Sequence, residues 1–397
     1  MTQSTQLWSI VLAAGEGTRL QGLTRDETGR VVPKQFYRID GDTSMLRWTL
    51  DRVGTVVPGH RIVPIVADQH RRWWGSELAA VPQANIVVQP RNRGTVAGIL
   101  LPLLNLTLRD PDATVLVTPS DHHMDDTRAF RRMVAQAEET IAEEPERIVL
   151  IGVPARRPDP ELGWLVPVPR APESRAPWES SYGSVRYDVA EFVEKPDIRL
   201  AARLQREGAF WNTGIVVARA QALLGLIRSA LAEVHDRFLT AVEEGLFDDP
   251  NVVLDLYDEI GSFDFCRDVL EPSAGHLTLL TLPDESWVDL GTEGRIQEWR
   301  GRRAHRAGLG ENARWRSGSV ATVPSGALEA SLWSPRESPR IGPTPEPSAP
   351  YSVDIPERGV EAYRSCPPMM RSRIERLHGA RVPEKEGPAI GNDCRHP

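Results

Sequence analysis

Apolar positions along this chain fall into two patterns. The first is a set of short continuous runs: Ile10–Ala14, Arg61–Ala67, Asn85–Gln89, Thr114–Thr118, Arg147–Gly152, Ile215–Ala218 and Leu277–Leu282. Runs of this length suit strands buried on both faces. Val185–Val193 alternates apolar and polar residues and predicts a further strand. The second pattern has helical spacing. It predicts helices over Ser44–Val53, His70–Ala80, a stretch running through Leu108, Thr127–Ile141, Arg199–Glu207 and Glu293–His305. Residues 220–247 carry Leu223, Leu224, Leu226, Ile227, Leu231, Val234, Phe238 and Val242 at roughly helical spacing, which predicts a core-facing stripe. Strands separated by helical stretches imply an α/β fold, a mostly parallel sheet with helices on both faces.

The first run ends in chemistry. Gly15, Glu16 and Gly17 follow it, so the chain can bend sharply and bring backbone N–H groups close to an anion. Arg19 adds a forked cation, and Pro33 stiffens the chain before a second cation, Lys34. A strand, a glycine turn and two cations make a phosphate-binding corner. The third glycine of Gly-x-Gly-x-x-Gly is absent, and so is Gly-Lys-Ser/Thr.

A carboxylate just past the C-terminal end of a parallel strand lies where open α/β sheets place their ligands. Asp121, after Thr114–Thr118 and Pro119-Ser120, has that position and is the first candidate for a metal ligand. Magnesium takes oxygen ligands and commonly joins a carboxylate to phosphate. The Asp121-His122-His123 cluster also admits zinc, but no third ligand lies at suitable spacing. The cap of the following helix falls nearer Asp125 or Asp126, which leaves Asp121 free. His122 and His123 are read as shaping the loop.

Several strings carry a family resemblance. Ala14 to Leu20, followed by Pro33-Lys34-Gln35-Phe36, resembles the signature of sugar-phosphate nucleotidyltransferases. The Pro-Lys-Gln-Phe ending is most similar to the mannose-1-phosphate guanylyltransferase branch. The stretch between Arg19 and Lys34 is longer than the family usually shows, with Asp26 to Arg30 the inserted part. Arg91 to Gly98 partly resembles the branch's Gly-Arg-Asn-Thr-Ala-Pro-Ala box, and Ser120-Asp121-His122 its Ala-Asp-His. Glu161-Leu162-Gly163-Trp164, Phe192 to Pro196, Trp211 to Ile215, Ser262 to Glu271 and Trp287 to Thr292 resemble later family motifs, in family order. The resemblance covers roughly residues 7–305.

What the resemblance implies is specific. The fold would be Rossmann-like: a mixed, mostly parallel sheet flanked by helices, as in nucleotidyltransferases and GT-A glycosyltransferases. Ala13, Ala14, Gly15, Glu16, Gly17, Thr18 and Arg19 would wrap a nucleoside triphosphate, with Asn92, Thr95 and Ser120 completing its site. Gly163, Glu194, Lys195, Asn212 and Gly214 would bind a sugar 1-phosphate. Glu194 can accept bonds from sugar hydroxyls, Lys195 can pair with phosphate, and Asn212 offers both a donor and an acceptor. Asp121 and Asp289 would together hold Mg²⁺. Arg19, Lys34 and Asp121 would be the catalytic set. The implied reaction joins GTP and mannose 1-phosphate into GDP-mannose with release of pyrophosphate. Rival readings are another base and sugar, a non-catalytic paralogue that binds a nucleotide sugar, and a glycosyltransferase of similar fold. The last normally shows Asp-x-Asp after a strand, which this chain lacks at residues 120–122.

Composition narrows the rest. The net charge is −8 and the pI about 5.7, against a general nucleic-acid or anionic-membrane binder. Cys266, Cys366 and Cys394 are far apart and match no zinc spacing; so sparse a count fits a reducing cytoplasm. Met1–Leu7 is polar, with no signal-like apolar region, and no run approaches the roughly 20 apolar residues of a membrane span. Thirteen of the 33 prolines lie in residues 324–397. The expectation is a catalytic domain over 1–309 and a Pro-rich, disordered tail over 310–397. The sequence leaves the oligomeric state open, a homo-oligomer included.

Overall fold

The computed structural model describes residues 6–41, 43–124, 126–169, 185–247, 249–282 and 287–306. The expected tail from residue 310, and all but the first residue of the polar insertion at 169–184, lie outside the described residues.

The apolar runs form strands because alternate side chains leave a strand on opposite faces, and here both faces are covered. Ile10, Val115, Val117, Leu150 and Val216 pack into one core; their neighbours Val11, Leu116, Val149, Ile151 and Val217 pack into the other. The main sheet has nine strands: β1 (Leu7–Ala13), β2 (Ile62–Ala67), β3 (Val87–Gln89), β4 (Thr114–Pro119), β6 (Ile148–Pro154), β7 (Gly163–Pro169), β8 (Arg186–Glu194), β9 (Phe210–Arg219) and β10 (Leu277–Thr281). Their order is β3-β2-β1-β4-β9-β6-β10-β8-β7. The sheet is mixed, and its parallel pairings are β1–β2, β2–β3, β1–β4 and β6–β10. Strand β9 runs antiparallel between β4 and β6. Beside the sheet, β5 (His122–Met124) and β11 (Trp287–Asp289) pair antiparallel.

Helices α3 (Gly94–Arg109), α6 (Ala220–Ala230), α7 (Ala232–Glu243) and α8 (Pro250–Glu259) cover one face. Helices α1 (Met45–Val53), α2 (Arg71–Glu77), α4 (Thr127–Glu143) and α5 (Ile198–Arg206) cover the other. The cap of α4 is Asp126, whose carboxylate accepts from the Arg128 and Ala129 amides. A third, small core of Leu20, Ile39, Met45, Leu290, Ile296 and Trp299 joins α9 (Glu293–Arg306) to the start of the chain.

Strand β7, helix α8 and the β5–β11 pair have no counterpart in the sequence reading, and two predicted elements have other bounds. The helical stretch 220–247 breaks at Leu231, whose φ of −138° is not helical. Periodicity there reported which residues face the core, and Leu226, Ile227, Val234 and Phe238 do so on both sides of the break. Strand β9 begins at Phe210, not Ile215, so Asn212 and Gly214 sit inside a strand.

Candidate functional site

The glycine turn is built from below by Gln35. Its side-chain amide donates to the carbonyls of Ala13 and Gly15, both at 2.9 Å, and so fixes the carbonyls of the turn. Gly17 has a φ of +59°, and a Cβ there would stand 2.7 Å from Lys34 Cβ. Only glycine permits both the conformation and the contact. Pressed under that turn, Lys34 is buried. The inserted residues 26–30 close on themselves: Asp26 accepts from the Thr28 and Arg30 amides, and Val32 donates to the Thr24 carbonyl at 2.7 Å. The chain therefore returns in place for Lys34.

Lys34 Nζ bridges two carboxylates, Asp121 Oδ2 at 2.9 Å and Asp289 Oδ1 at 3.1 Å. The aspartates come from distant segments and meet because β11 pairs with β5, which sets Asp289 directly opposite His122. Arg295, from α9, holds the other oxygen of Asp289 and reaches Asp159 at 2.6 Å. Burial works against the charge on Lys34, but Asp121 and then Asp289 outweigh it and raise its pKa. Burial works against both aspartates as well; Lys34 and then His122 overcome it and hold each below the usual carboxylate range. All three groups are thus charged at neutral pH.

His122 faces the same point. Its Nδ1 lies 3.0 Å from the Thr213 carbonyl, and its Nε2 3.5 Å from Asp121 Oδ1 and 3.8 Å from Asp289 Oδ1. Burial, opposed by the two aspartates, lowers its pKa.

A cavity of about 590 Å³ opens above this cluster. Ala14, Gly15, Gly17, Lys34, Asn92, Thr95, Ser120 and Asp121 line it, as expected for a nucleotide site, together with Gln89, His122, Asp264 and Arg267. The Asn92–Thr95 turn is docked onto residues 263–265. Phe263 donates to the Arg93 carbonyl at 3.3 Å, and Thr95 Oγ1 accepts from the Phe265 amide at 2.7 Å. Gly94, with φ of +81°, has no room for a Cβ beside the Phe263 carbonyl. Ser120 donates its hydroxyl to the Leu12 carbonyl at 2.6 Å, which ties the ends of β1 and β4 together. Ala13 is buried beneath the turn; Glu16 and Thr18 are exposed on it.

Arg19 is placed apart from Lys34. Its side chain is 53% exposed and pairs with Glu161 at 3.0 Å. Glu161 also lies 3.4 Å from Arg295, so a chain of charges runs from Arg19 through Glu161 and Arg295 to Asp289.

The residues expected to bind a sugar phosphate gather beside the cavity. Gly163 in β7 stands opposite Glu194 in β8, and Lys195 pairs with Glu194. Asn212 lies against Gly163, and its amide contacts Cys266 Sγ at 3.7 Å. The Gly214 amide donates to Asn212 Oδ1 at 3.2 Å. Asp264, on the cavity wall, links the two halves, since Glu194, Asp264 and Cys266 bring ligand atoms within 4.8 Å of one another. Burial raises the pKa of Glu194 despite Lys195, and raises that of Cys266 well above the usual thiol range, which keeps it a thiol.

Gln35, Glu161, His122 and Arg295 were missed as site residues. Gln35 had a signal, its place beside Lys34. Arg295 had none, because its partners are set by the β5–β11 pairing.

The chain belongs to the nucleotidyl transferase family, whose profile matches residues 8–298. Among curated relatives, the alginate biosynthesis protein AlgA of Pseudomonas putida is 31% identical over 238 residues, 59% of this chain and 46% of that protein. The mannose-1-phosphate guanylyltransferase of Salmonella muenchen is 29% identical over 245 residues, 60% of this chain and 48% of the relative. The chain thus spans about half the length of these curated relatives. The solved structure described as mannose-1-phosphate geranyltransferase from Thermus thermophilus superposes with a TM-score of 0.60 at 24% identity, covering 72% of this chain and 77% of that one. The likeness establishes the fold.

Proposed function

We infer that this protein transfers a nucleoside monophosphate from a triphosphate, GTP, to a sugar 1-phosphate, mannose 1-phosphate. The observation that carries this reading is the convergence of Asp121 and Asp289 on Lys34, at the floor of a cavity lined by the glycine turn, Lys34 and Asp121, with Glu194 beside it through the wall residue Asp264. The choice of base and sugar rests on the names of relatives such as that from Salmonella muenchen and on the Pro33–Phe36 string.

In this reaction an oxygen of the sugar phosphate forms a bond to the α-phosphorus of the triphosphate. The bond from that phosphorus to the bridging oxygen of the β-phosphate breaks, and pyrophosphate leaves with the electron pair. No protein nucleophile is required. The chain must bring two anions together and offset their repulsion. Backbone amides of the glycine turn face the triphosphate, and Lys34 supplies the nearest buried positive charge. Arg19 exchanges Glu161 for phosphate. Lys195 takes the phosphate of the sugar, while Glu194 and Asn212 hold its hydroxyls.

The donor set also suits Mg²⁺. Asp121 and Asp289 are both ionised and converge on a single cation, the Lys34 ammonium, which stands where a divalent ion would be held. Bound there, the ion would offset charge on the α-phosphate and orient it.

The test is pyrophosphate release over a grid of four nucleoside triphosphates and several sugar 1-phosphates. The reading predicts release only when both are present, fastest with GTP and mannose 1-phosphate. Release from a triphosphate alone, or from no pair, overturns it.

A further inference from the structure

His122 holds a position that its supposed loop-shaping role does not require. Its Nδ1 lies 3.0 Å from the Thr213 carbonyl. A carbonyl only accepts, so Nδ1 carries the hydrogen and Nε2 presents its lone pair to the other side. That side is the carboxylate pair, with Nε2 at 3.5 Å from Asp121 Oδ1 and 3.8 Å from Asp289 Oδ1. Both distances exceed a hydrogen bond, so neither oxygen is satisfied by the imidazole. They are instead the spacing of ligands around one ion. Two atoms bound to one cation at about 2.1–2.2 Å stand roughly 3.0–3.8 Å apart for angles from about 90° to about 125°.

The ring is also fixed. Trp287 packs edge-on against it with centroids 5.1 Å apart, Asp289 is its register partner across β5 and β11, and Thr213 is anchored by its hydroxyl to the Ile151 carbonyl at 2.8 Å. An imidazole that donates one N–H to a backbone carbonyl, with its other nitrogen turned toward carboxylates, has the arrangement of a metal-bound histidine.

We propose that His122 Nε2 is a third protein ligand of the divalent cation held by Asp121 and Asp289, and that the site therefore selects a borderline ion such as Mn²⁺ over Mg²⁺. The proposal rests on the two-carboxylate site proposed above and adds a nitrogen to it. Mg²⁺ gains little from imidazole, whereas Mn²⁺, Co²⁺ and Zn²⁺ accept it readily. In this structure the Lys34 ammonium holds the position between the carboxylates, so phosphate must draw Lys34 aside for the ion to seat.

The experiment uses the full chain with Mn²⁺ and inorganic pyrophosphate, which draws on Lys34 and contains no nitrogen. Electron-spin-echo spectroscopy reads nitrogen bound to the ion, and the loss of free Mn²⁺ signal beyond that caused by the same pyrophosphate without protein reads affinity. The expected result is a ¹⁴N modulation that changes to the ¹⁵N pattern in protein made with ¹⁵N-histidine. His122→Gln should remove the modulation and weaken Mn²⁺ binding at least about 10-fold. Its Mg²⁺ affinity should change less than about threefold. The labelled wild-type protein decides the matter even if the variant does not fold. Mn²⁺ that binds in wild type, is lost in Asp289→Asn and shows no nitrogen modulation would overturn the ligand role of His122 and leave the carboxylate site standing. Absence of any Mn²⁺ binding would overturn both.

Discussion

Replacing Lys34 with methionine removes a buried cation and keeps the length of the side chain. Two charge-assisted hydrogen bonds are lost, at 2.9 Å to Asp121 and 3.1 Å to Asp289. The two carboxylates then differ. The Asp289 side chain is 7% exposed, and breaking a buried pair by removing one partner costs about 3–5 kcal/mol. Arg295 still holds the other Asp289 oxygen, which favours the lower end, about 3 kcal/mol. Asp121 is 37% exposed, so water takes over its charge and it adds at most about 1 kcal/mol. For a domain of about 300 residues, about 3 kcal/mol corresponds to roughly 5 °C in melting temperature. In wild type the aspartates have depressed folded pKa values, so their contribution is present above the unfolded value near about 3.9 and is lost as pH falls through the folded values. Lys34, with a raised folded pKa, contributes fully below its unfolded value near about 10.4 and loses its contribution above that. The gap between wild type and Lys34→Met should therefore be flat from about pH 8 to about pH 10 and close on acidification, first through His122, whose proton the two carboxylates favour once Lys34 is gone, and then through the aspartates. A divalent cation should stabilise the variant by about 2.7 kcal/mol at one hundred times its dissociation constant, and wild type by less at the same concentration, because in the variant no ammonium has to be displaced. Thermal unfolding followed by circular dichroism, with and without Mn²⁺ and across this pH range, measures all three effects. Equal melting temperatures at pH 7, or a cation effect confined to wild type, would refute the bridge.

Asp121→Asn and Asp289→Asn should each lower turnover by orders of magnitude, and Asp289→Asn alone should also lower the melting temperature by several degrees, since only Asp289 is buried between Lys34 and Arg295. Steady-state rates and melting curves of both variants check this. Lys195→Ala should raise the Michaelis constant for the sugar phosphate about 10- to 150-fold, the worth of a charge-assisted hydrogen bond, while calorimetric binding of the triphosphate stays unchanged. The reverse outcome would move the sugar phosphate away from β8. Gln35→Leu should leave the Ala13 and Gly15 carbonyls unpaired, cost about 1–3 kcal/mol of stability in urea unfolding and weaken triphosphate binding more than sugar-phosphate binding.

The strands were legible because both faces of the sheet are covered, which turns them into continuous apolar runs; β2 and β4 appear in the sequence almost to the residue, whereas β1 starts at Leu7, three residues before the run Ile10–Ala14. Asp121 followed from β4 by the rule that ligands gather past strand ends. Asp289 could not be derived that way. Its strand, β11, has three residues and exists through its pairing with β5, and no local pattern marks either one. Asp289 came from resemblance alone, and the structure brings it to Asp121. The same pairing fixes His122 and Arg295, so a role read from neighbours in sequence was bound to miss them. The apolar run Ile215–Ala218 marks only the end of β9; Asn212 and Gly214 lie within the strand, which accommodates the Gly214 φ of +75°. The reach of Lys34 depended on whether the inserted residues 26–30 form their own turn, which no periodicity reveals.

The transfer itself is tested most directly by following the oxygen that forms the new bond. GTP would be incubated with mannose 1-phosphate carrying ¹⁸O in its phosphoryl group, and the products read by ³¹P magnetic resonance and mass spectrometry. Attack by the sugar phosphate on the α-phosphorus predicts one ¹⁸O in the bridge of the nucleotide sugar and none in pyrophosphate. Label in pyrophosphate, or free nucleoside monophosphate with no nucleotide sugar, would contradict the account.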